Sequence, residues 1–332
     1  MIETAMKPIS DVPTLLLLDG TDVRALLSHD AALHGVRQAF MAHSSGAGRS
    51  FGLVREAIAA GAVFGIKSGE IAGNALLGLK AAGFWPANPG RGLDAHQASI
   101  LLVDPATGRP RCLMDGNHVT AMRTGAAGGI GIAVLARADS QRLCVFGAGV
   151  QARIQIDYAL RACPAVRELV YVTADGQANQ AFEEQFAARC RVALSTDADT
   201  AVASADIVIT ATPSRLPLFS LDAVRPGTHI NAVGADTRGK RELPAGLLER
   251  STLVVVDDRL QAQTVGEGQW VTGCATAEIG ELLGQTPAWV RPPAAITVFD
   301  LTGLALQDLV VAAALVEAAE ARGLGQRLAW PC

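Results

Sequence analysis

The stretch Leu143-Cys-Val-Phe-Gly-Ala-Gly-Val-Gln-Ala152 constrains the fold more than any other part of this chain. An apolar strand pattern runs directly into Gly147-x-Gly149-x-x-Ala152, and Ala152, Ile156, Ala159, Leu160 and Cys163 then recur on one helical face. Gly147 permits a tight turn, Gly149 lets the backbone approach a pyrophosphate, and Ala152 lets helix and strand pack closely. The free N–H groups and the dipole at the start of the helix hold phosphate charge. A bare glycine pattern marks only a turn. Set between a strand and a helix, it predicts dinucleotide binding, with Gly147, Gly149, Val150 and Gln151 against the cofactor.

The rest of the chain must then supply a second functional surface. Its 332 residues suit two domains, or one domain inserted into another. Half of them are apolar (50%) and only 18% are charged, so a large core can be buried. A net charge of -4 without any basic run argues against nucleic acid as a partner. No two of the six cysteines lie closer than 19 positions, which leaves no C-x-x-C and no zinc spacing, so no metal is expected. They read as reduced thiols, which suits the cytoplasm. The start, Met1-Ile-Glu-Thr-Ala-Met-Lys-Pro, lacks a signal pattern, and the longest late apolar block, residues 309–316, is too short for a bilayer. A soluble protein with no membrane partner is the expectation.

Along the chain, Leu15-Leu-Leu-Leu18 reads as a strand, Thr21 as a helix cap, and a second helix starts near Ser28 and buries Leu33, Val36 and Phe40. Between Gly46 and Gly92, short apolar runs punctuated by glycine predict hairpins, followed by strands at residues 98–103 and 111–114. From Thr120 the texture changes. A helix over 120 to about 137 leads into strands at 142–146, 169–172, 206–210, 229–233 and 253–257, with helical segments between several of them. That alternation predicts a Rossmann-type doubly wound parallel sheet. A last helix covers 304 to about 322 and ends at Gly323. The expected layout is an α/β domain, residues 124–301, inserted in a smaller α+β lobe made of residues 1–123 and 302–332.

Because the sheet-like lobe precedes a cofactor domain, its cations are candidates for holding an anionic substrate. Arg49, Lys80 and Arg123 each sit among small or apolar residues rather than in a charged run, as a set of donors for a carboxylate would. Taken singly, each also reads as an ordinary ion pair or a snorkelling side chain. The segments Lys80-Ala-Ala-Gly-Phe-Trp-Pro-Ala-Asn-Pro-Gly-Arg-Gly-Leu93, His96-Gln97, Asp104-Pro-Ala-Thr-Gly-Arg-Pro110 and Met114-Asp-Gly-Asn-His-Val-Thr-Ala-Met-Arg-Thr124 resemble the ornithine cyclodeaminase and mu-crystallin family. So do Gly147-Ala-Gly-Val-Gln151, Asn231-Ala-Val-Gly-Ala-Asp-Thr-Arg-Gly-Lys-Arg-Glu-Leu243 and Thr302-Gly-Leu-Ala-Leu-Gln-Asp308, in the right order over nearly the whole chain.

The resemblance implies NAD(P)-dependent chemistry on a small α-amino or α-imino acid, and a homodimer built through the first lobe. It places the substrate-carboxylate cations on Arg49, Lys80 and Arg123, and the catalytic pair on Asp236 and Lys80. In the family the carboxylate at Asp236 faces the carbon that exchanges hydride and manages protons on an amine or water. Thr124 and Lys240 are implied to contact the cofactor, and Gln97 to line the nicotinamide pocket. Glu242 reads as a structural residue that orients Lys240 or Arg238. His96 reads equally well as a hydrogen-bonded core residue.

After the second strand of the nucleotide domain, Thr173 stands where NAD binding wants an acid and Ala174 where NADP binding wants an arginine. Asp175 would repel a 2′-phosphate, so NAD is favoured and NADP is not excluded. Two departures from the family pattern stand out. Ala60 falls where ornithine-specific members carry a glutamate for the distal amine, with Glu56 the nearest acid. Gly125, Gly128, Gly129 and Gly131 fill a helix where each costs about 1 kcal/mol, which predicts either a very close backbone or an irregular helix. Three activities follow: an ornithine cyclodeaminase, a ketimine reductase or amino-acid dehydrogenase, and a non-enzymatic cofactor-loaded binding protein. No nucleophile motif of a hydrolase is present.

Overall fold

The structure, a computed structural model, describes residues 14–330. The segment read for a signal pattern and Cys332 lie outside the described residues. The strands form two sheets. The first runs Gln326–Ala329, Thr14–Leu18, Pro110–Asp115, His96–Val103, Leu76–Phe84, Val63–Ile71 and Gly48–Ser50, with Val54–Ala57 also on Val63–Ile71. It is antiparallel except where Thr14–Leu18 meets Pro110–Asp115. The second runs Arg191–Leu194, Glu168–Val172, Arg142–Phe146, Ile207–Thr210, His229–Ala232, Thr297–Asp300, Leu253–Val256 and Thr276–Glu278, parallel throughout. This is the doubly wound α/β architecture expected from the fingerprint.

Local chemistry explains most element ends. The first helix, Gly20–Leu26, is capped by Asp19, whose Oδ1 accepts from the backbone N–H groups of Thr21 and Asp22. The carboxylate two residues earlier outcompetes Thr21, the cap expected from sequence. Ser28 caps His29–Ser44 as expected, and Val36 and Phe40 are buried while Leu33 packs half-buried against the same core. The closing helix, Ala305–Arg322, ends at Gly323, which takes the left-handed conformation at φ 65°. Sequence reading missed Arg191–Leu194, Thr276–Glu278, Thr297–Asp300 and Gln326–Ala329. All four are only three or four residues long.

Ala305–Arg322 packs against His29–Ser44 and lies on one face of the first sheet. Gly69 and Gly78 permit that approach, because a Cβ at either would meet Leu306 or Leu309 side chains at 3.1 and 2.9 Å and backbone oxygens at 2.6 and 2.5 Å. The opposite face carries the cross-strand row Leu17, Leu113, Leu101 and Leu79, all half-buried or exposed.

Asn117–Leu135 links the two sheets, packing against Val150–Ala162, His29–Ser44 and strands of both. It is a continuous helix, so its glycines do not mark an irregularity. Nor does another backbone press on it. Added Cβ atoms at Gly125 and Gly131 would fall 2.5 Å from Tyr158 and 2.2 Å from Phe299, and one at Gly128 would fall 1.8 Å from Gln155. Large side chains of the second sheet and its helix occupy the groove that the glycines leave.

Candidate active site

The fingerprint has the geometry that a pyrophosphate needs. Arg142–Phe146 ends at Gly147, whose φ of 100° excludes a side chain, and Gly149 caps the 13-residue helix Val150–Ala162. No side chain caps that helix, Val150 is 69% exposed, and a Cβ on Gly149 would meet nothing within 4 Å. The free N–H groups of the first turn therefore face open space. Gln151 sits beside them with a buried, unpartnered Oε1. Thr124 approaches the same helix: its carbonyl accepts from the Gln155 amide at 2.7 Å, and its hydroxyl donates to Thr120 O. After Glu168–Val172, Thr173 donates to Gln177 O, and the exposed Asp175 accepts from Gln177 N at 3.1 Å. That hydrogen bond holds the Asp175 carboxyl below its ordinary value.

Register assembles the anion-binding side. Val63–Ile71 and Leu76–Phe84 pair so that Lys67 stands directly across from Lys80. Val54–Ala57 pairs so that Arg55 lies beside Gly65, two residues along on the same face of the pleat. Lys80 donates to Asp308 Oδ1 at 2.9 Å and to Thr120 Oγ1 at 3.2 Å, and lies 2.8 Å from Asp308 Oδ2 as an ion-pair contact. Arg123, on Asn117–Leu135, donates from Nε to Asp308 at 3.0 Å and from Nη1 to Gln307 Oε1 at 2.9 Å. Lys80, Arg123 and Asp308 are 3%, 6% and 0% exposed. Burial, then the nearby Arg123, pushes the Lys80 ammonium down to about 7. Burial alone would raise the Asp308 carboxyl, but Arg123 and Lys80 override it and hold the group low. His96, on the same side, is driven down to about 4 by burial and by these two cations, and is neutral.

Lys67 donates to the carbonyls of Thr302 and Gly303 at 2.7 and 2.6 Å. Burial and then Arg123 lower its ammonium to about 8. On the other side of the same peptide groups, buried Asp257 accepts from Thr302 N, Thr302 Oγ1 and Gly303 N. Gly303 is at φ 83°, and a Cβ there would lie 2.5 Å from Arg123 Nη1. Asp236 follows His229–Ala232 at the carboxyl edge of the second sheet. It accepts from Arg55 Nη2 at 2.9 Å, Lys240 Nζ at 2.7 Å and Thr237 Oγ1 at 3.0 Å. Burial opposes ionisation, but Lys240 and Arg55 win and hold the carboxyl far below the usual carboxylate range.

A relay of buried carboxylates fixes the loop that carries Asp236. Asp300 accepts from Gly268 N, and Glu267 accepts from Glu242 N and Leu243 N. Glu242 in turn accepts from Thr210 Oγ1, Thr212 N, Thr212 Oγ1 and Gly234 N. Burial, then mutual repulsion, raises Glu267 to about 8, and burial raises Asp300 to about 7.

Lys80 and Arg123 thus share Asp308, Asp236 lies between Arg55 and Lys240, and several other residues stand differently from their expected places. Arg49 pairs in register with Glu70, on the opposite face from Lys80, and is bound to it at 2.7 Å with its own side chain 71% exposed. Arg55, six residues on, reaches Asp236 in its place. The Val54-Arg55-Glu56-Ala57 alternation, once laid against the following hairpin, would have identified it. Gln97 pairs with Gly83, across the pleat from Lys80, and its amide turns back to Asp94 O. Lys240 donates to Asp236 Oδ1 and Gly234 O. Glu242 orients strand ends rather than Lys240 or Arg238. Lys67, Gln307 and Asp308 were not foreseen as members of the site.

The model of the ornithine cyclodeaminase/mu-crystallin family matches residues 15–323. An alanine dehydrogenase of Archaeoglobus fulgidus is 34% identical, with 94% of this chain and 98% of that one covered. An archaeal alanine dehydrogenase dimer with bound NAD superposes with a TM-score of 0.87 at 31% identity, over 95% of this chain and 99% of that one. The iminosuccinate reductase of Paracoccus denitrificans is 33% identical, over 95% of this chain and 99% of the other. Its complex with NAD+ has a TM-score of 0.87 at 32% identity, over the same shares. A lysine cyclodeaminase, described as recognising L-lysine, L-ornithine and L-2,4-diaminobutyric acid, has a TM-score of 0.84 at 30% identity over 95% of both chains.

Proposed function

Because the chain belongs to the ornithine cyclodeaminase/mu-crystallin family, we propose that it is an NAD(H)-dependent reductase that interconverts a small α-imino acid and its α-amino acid. One observation favours this over cyclodeamination. Arg55 faces Asp236 from Val54–Ala57, so its neighbour Glu56 points the other way and is exposed, and Ala60 lies on an exposed turn. A cyclodeaminase must seat a distal ammonium, and a buried ammonium without a carboxylate partner costs several kcal/mol. Here an arginine stands at that end.

Bound NADH supplies a hydride to the C=N carbon, and NAD accepts it in reverse. The double-bond pair then passes to nitrogen, which takes one proton. Lys80 and Arg123, oriented by Asp308 and Gln307, grip the α-carboxylate through their remaining N–H groups. Asp236, ionised throughout the working range, steadies the protonated nitrogen. The Lys80 ammonium, at about 7, is matched to proton exchange near neutrality. Gly147, Gly149, Val150, Gln151 and Thr124 would hold the cofactor. Thr173 and Asp175 favour NAD, since Asp175 repels a 2′-phosphate and Ala174 offers it no cation.

Residues 1–123 with 302–332 act in this reading as the substrate and dimer lobe, and 124–301 as the cofactor domain. The leucine row on the outer face of the first sheet supports a homodimer formed there. No described helix is long and apolar enough to cross a membrane. The five described cysteines are free thiols, in keeping with a cytoplasmic enzyme.

Two assays test the activity. Cyclic and open-chain α-imino acids with NADH are expected to consume NADH, while ornithine with NAD yields neither proline nor ammonia. Rapid proline formation from ornithine without net NADH would overturn the reductase.

A further inference from the structure

The grip on one carboxylate does not use all the positive charge at this site. Arg55, Lys67, Lys80 and Arg123 lie within electrostatic reach of one another, with Asp236, Asp257 and Asp308 among the acids that oppose them. Lys67 and Lys80 are direct cross-strand neighbours, a placement where like charges repel unless an anion lies between or beside them. Lys67 has three donors and gives two to carbonyls, so one N–H is left. Arg55 spends Nη2 on Asp236 and Thr237, while its buried Nε has no acceptor.

We infer that Arg55 and Lys67 form a second anion subsite beside the first, and that the substrate is an α-imino dicarboxylate of about four carbons. The inference rests on the reductase reading above. The two carboxyl carbons of such a substrate are three bonds apart, about 4 Å. Lys67 and Lys80 are direct cross-strand partners, so the two subsites adjoin, as so short a span requires. The second carboxylate fills the donors that Arg55 and Lys67 leave open. Gly65, beside Arg55, keeps the arginine side chain flat across the sheet, because a Cβ there would lie 3.1 Å from Arg55 Cδ.

The test compares imines formed in ammonium buffer from oxaloacetate and from pyruvate, together with Δ1-pyrroline-2-carboxylate, each with NADH. The dicarboxylate is expected to lead in kcat/KM by on the order of 10²-fold, since a site built for a polar group rejects analogues that lack it. Lys67→Met should raise KM for the dicarboxylate about tenfold more than for the pyruvate-derived imine, with Lys67→Arg recovering part of the loss. Binding by the unaltered protein guards against a variant that misfolds. With NADH bound, succinate should quench cofactor fluorescence at concentrations where propionate does not. A preference for pyruvate or the cyclic imine, or equal binding of succinate and propionate, would overturn the subsite and leave the reductase standing. Ornithine cyclisation would remove both.

Discussion

Asp236 lies between Arg55 and Lys240, and its ionisation is set by those two cations rather than by its burial. Asp236→Asn keeps the shape but removes the charge that steadies a protonated nitrogen. Turnover should fall about 10²–10⁴-fold, while NADH affinity by fluorescence titration stays nearly unchanged. Full turnover by the variant would take Asp236 out of the mechanism. At this scale the sequence was partly legible. Lys80, Arg123 and Asp236 stand in motifs whose residue order alone marks them. Arg49 and Arg55 were not distinguishable that way, because only the pairing of Val54–Ala57 with Val63–Ile71 decides which arginine faces inward. A strand's two faces alternate, so one misplaced residue sends the charge to the wrong side. Asp308 escaped notice because it sits inside a helix, where an acid in the first turn ordinarily reads as a favourable end charge.

Among the elements, Asn117–Leu135 departs furthest from what composition suggests. Replacing a helical glycine by alanine gains about 1 kcal/mol in propensity. At Gly131 that gain meets the Phe299 ring at 2.2 Å. Overpacking a full core costs about 1–3 kcal/mol, so the clash wins and Gly131→Ala should lower stability in denaturant unfolding. An unchanged or raised midpoint would show that the ring moves freely. The carboxylate relay allows a second prediction. Glu267 and Asp300 are raised in the folded protein to about 8 and 7, above ordinary unfolded values near 4. The folded state therefore binds more protons between those limits. This contribution is whole below about pH 4 and is lost as pH rises through 7 to 8. Lys67 and Lys80, lowered by burial, act in the opposite sense above pH 7, so the comparison must isolate one group. Glu267→Gln preserves an oxygen acceptor without a charge. Its stability relative to the parent should improve steadily from pH 5 to pH 9, read from thermal midpoints in parallel. A pH-independent difference would mean that Glu267 is not carrying the extra proton.

For the molecule as a whole, the alternation of strands and helices after Thr120 made the second sheet legible, and glycine-rich hairpins made the first. What the sequence hid were strands of three or four residues whose place depends on neighbours far along the chain. The leucine row Leu17, Leu113, Leu101 and Leu79 belongs to this scale, since it matters only as a continuous face. If two copies meet there, the protein should run at twice its 34.4 kDa mass, and Leu101→Asp should shift it toward the monomer in size-exclusion with light scattering. A monomeric parent would rule the face out. Between the sheets, the peptide groups of Thr302 and Gly303 offer their N–H groups to Asp257 and their carbonyls to Lys67. Each sheet thus holds one edge of the same short ribbon. A ligand that takes the last Lys67 N–H therefore touches a residue that already ties the first sheet to this ribbon, and through it to the second.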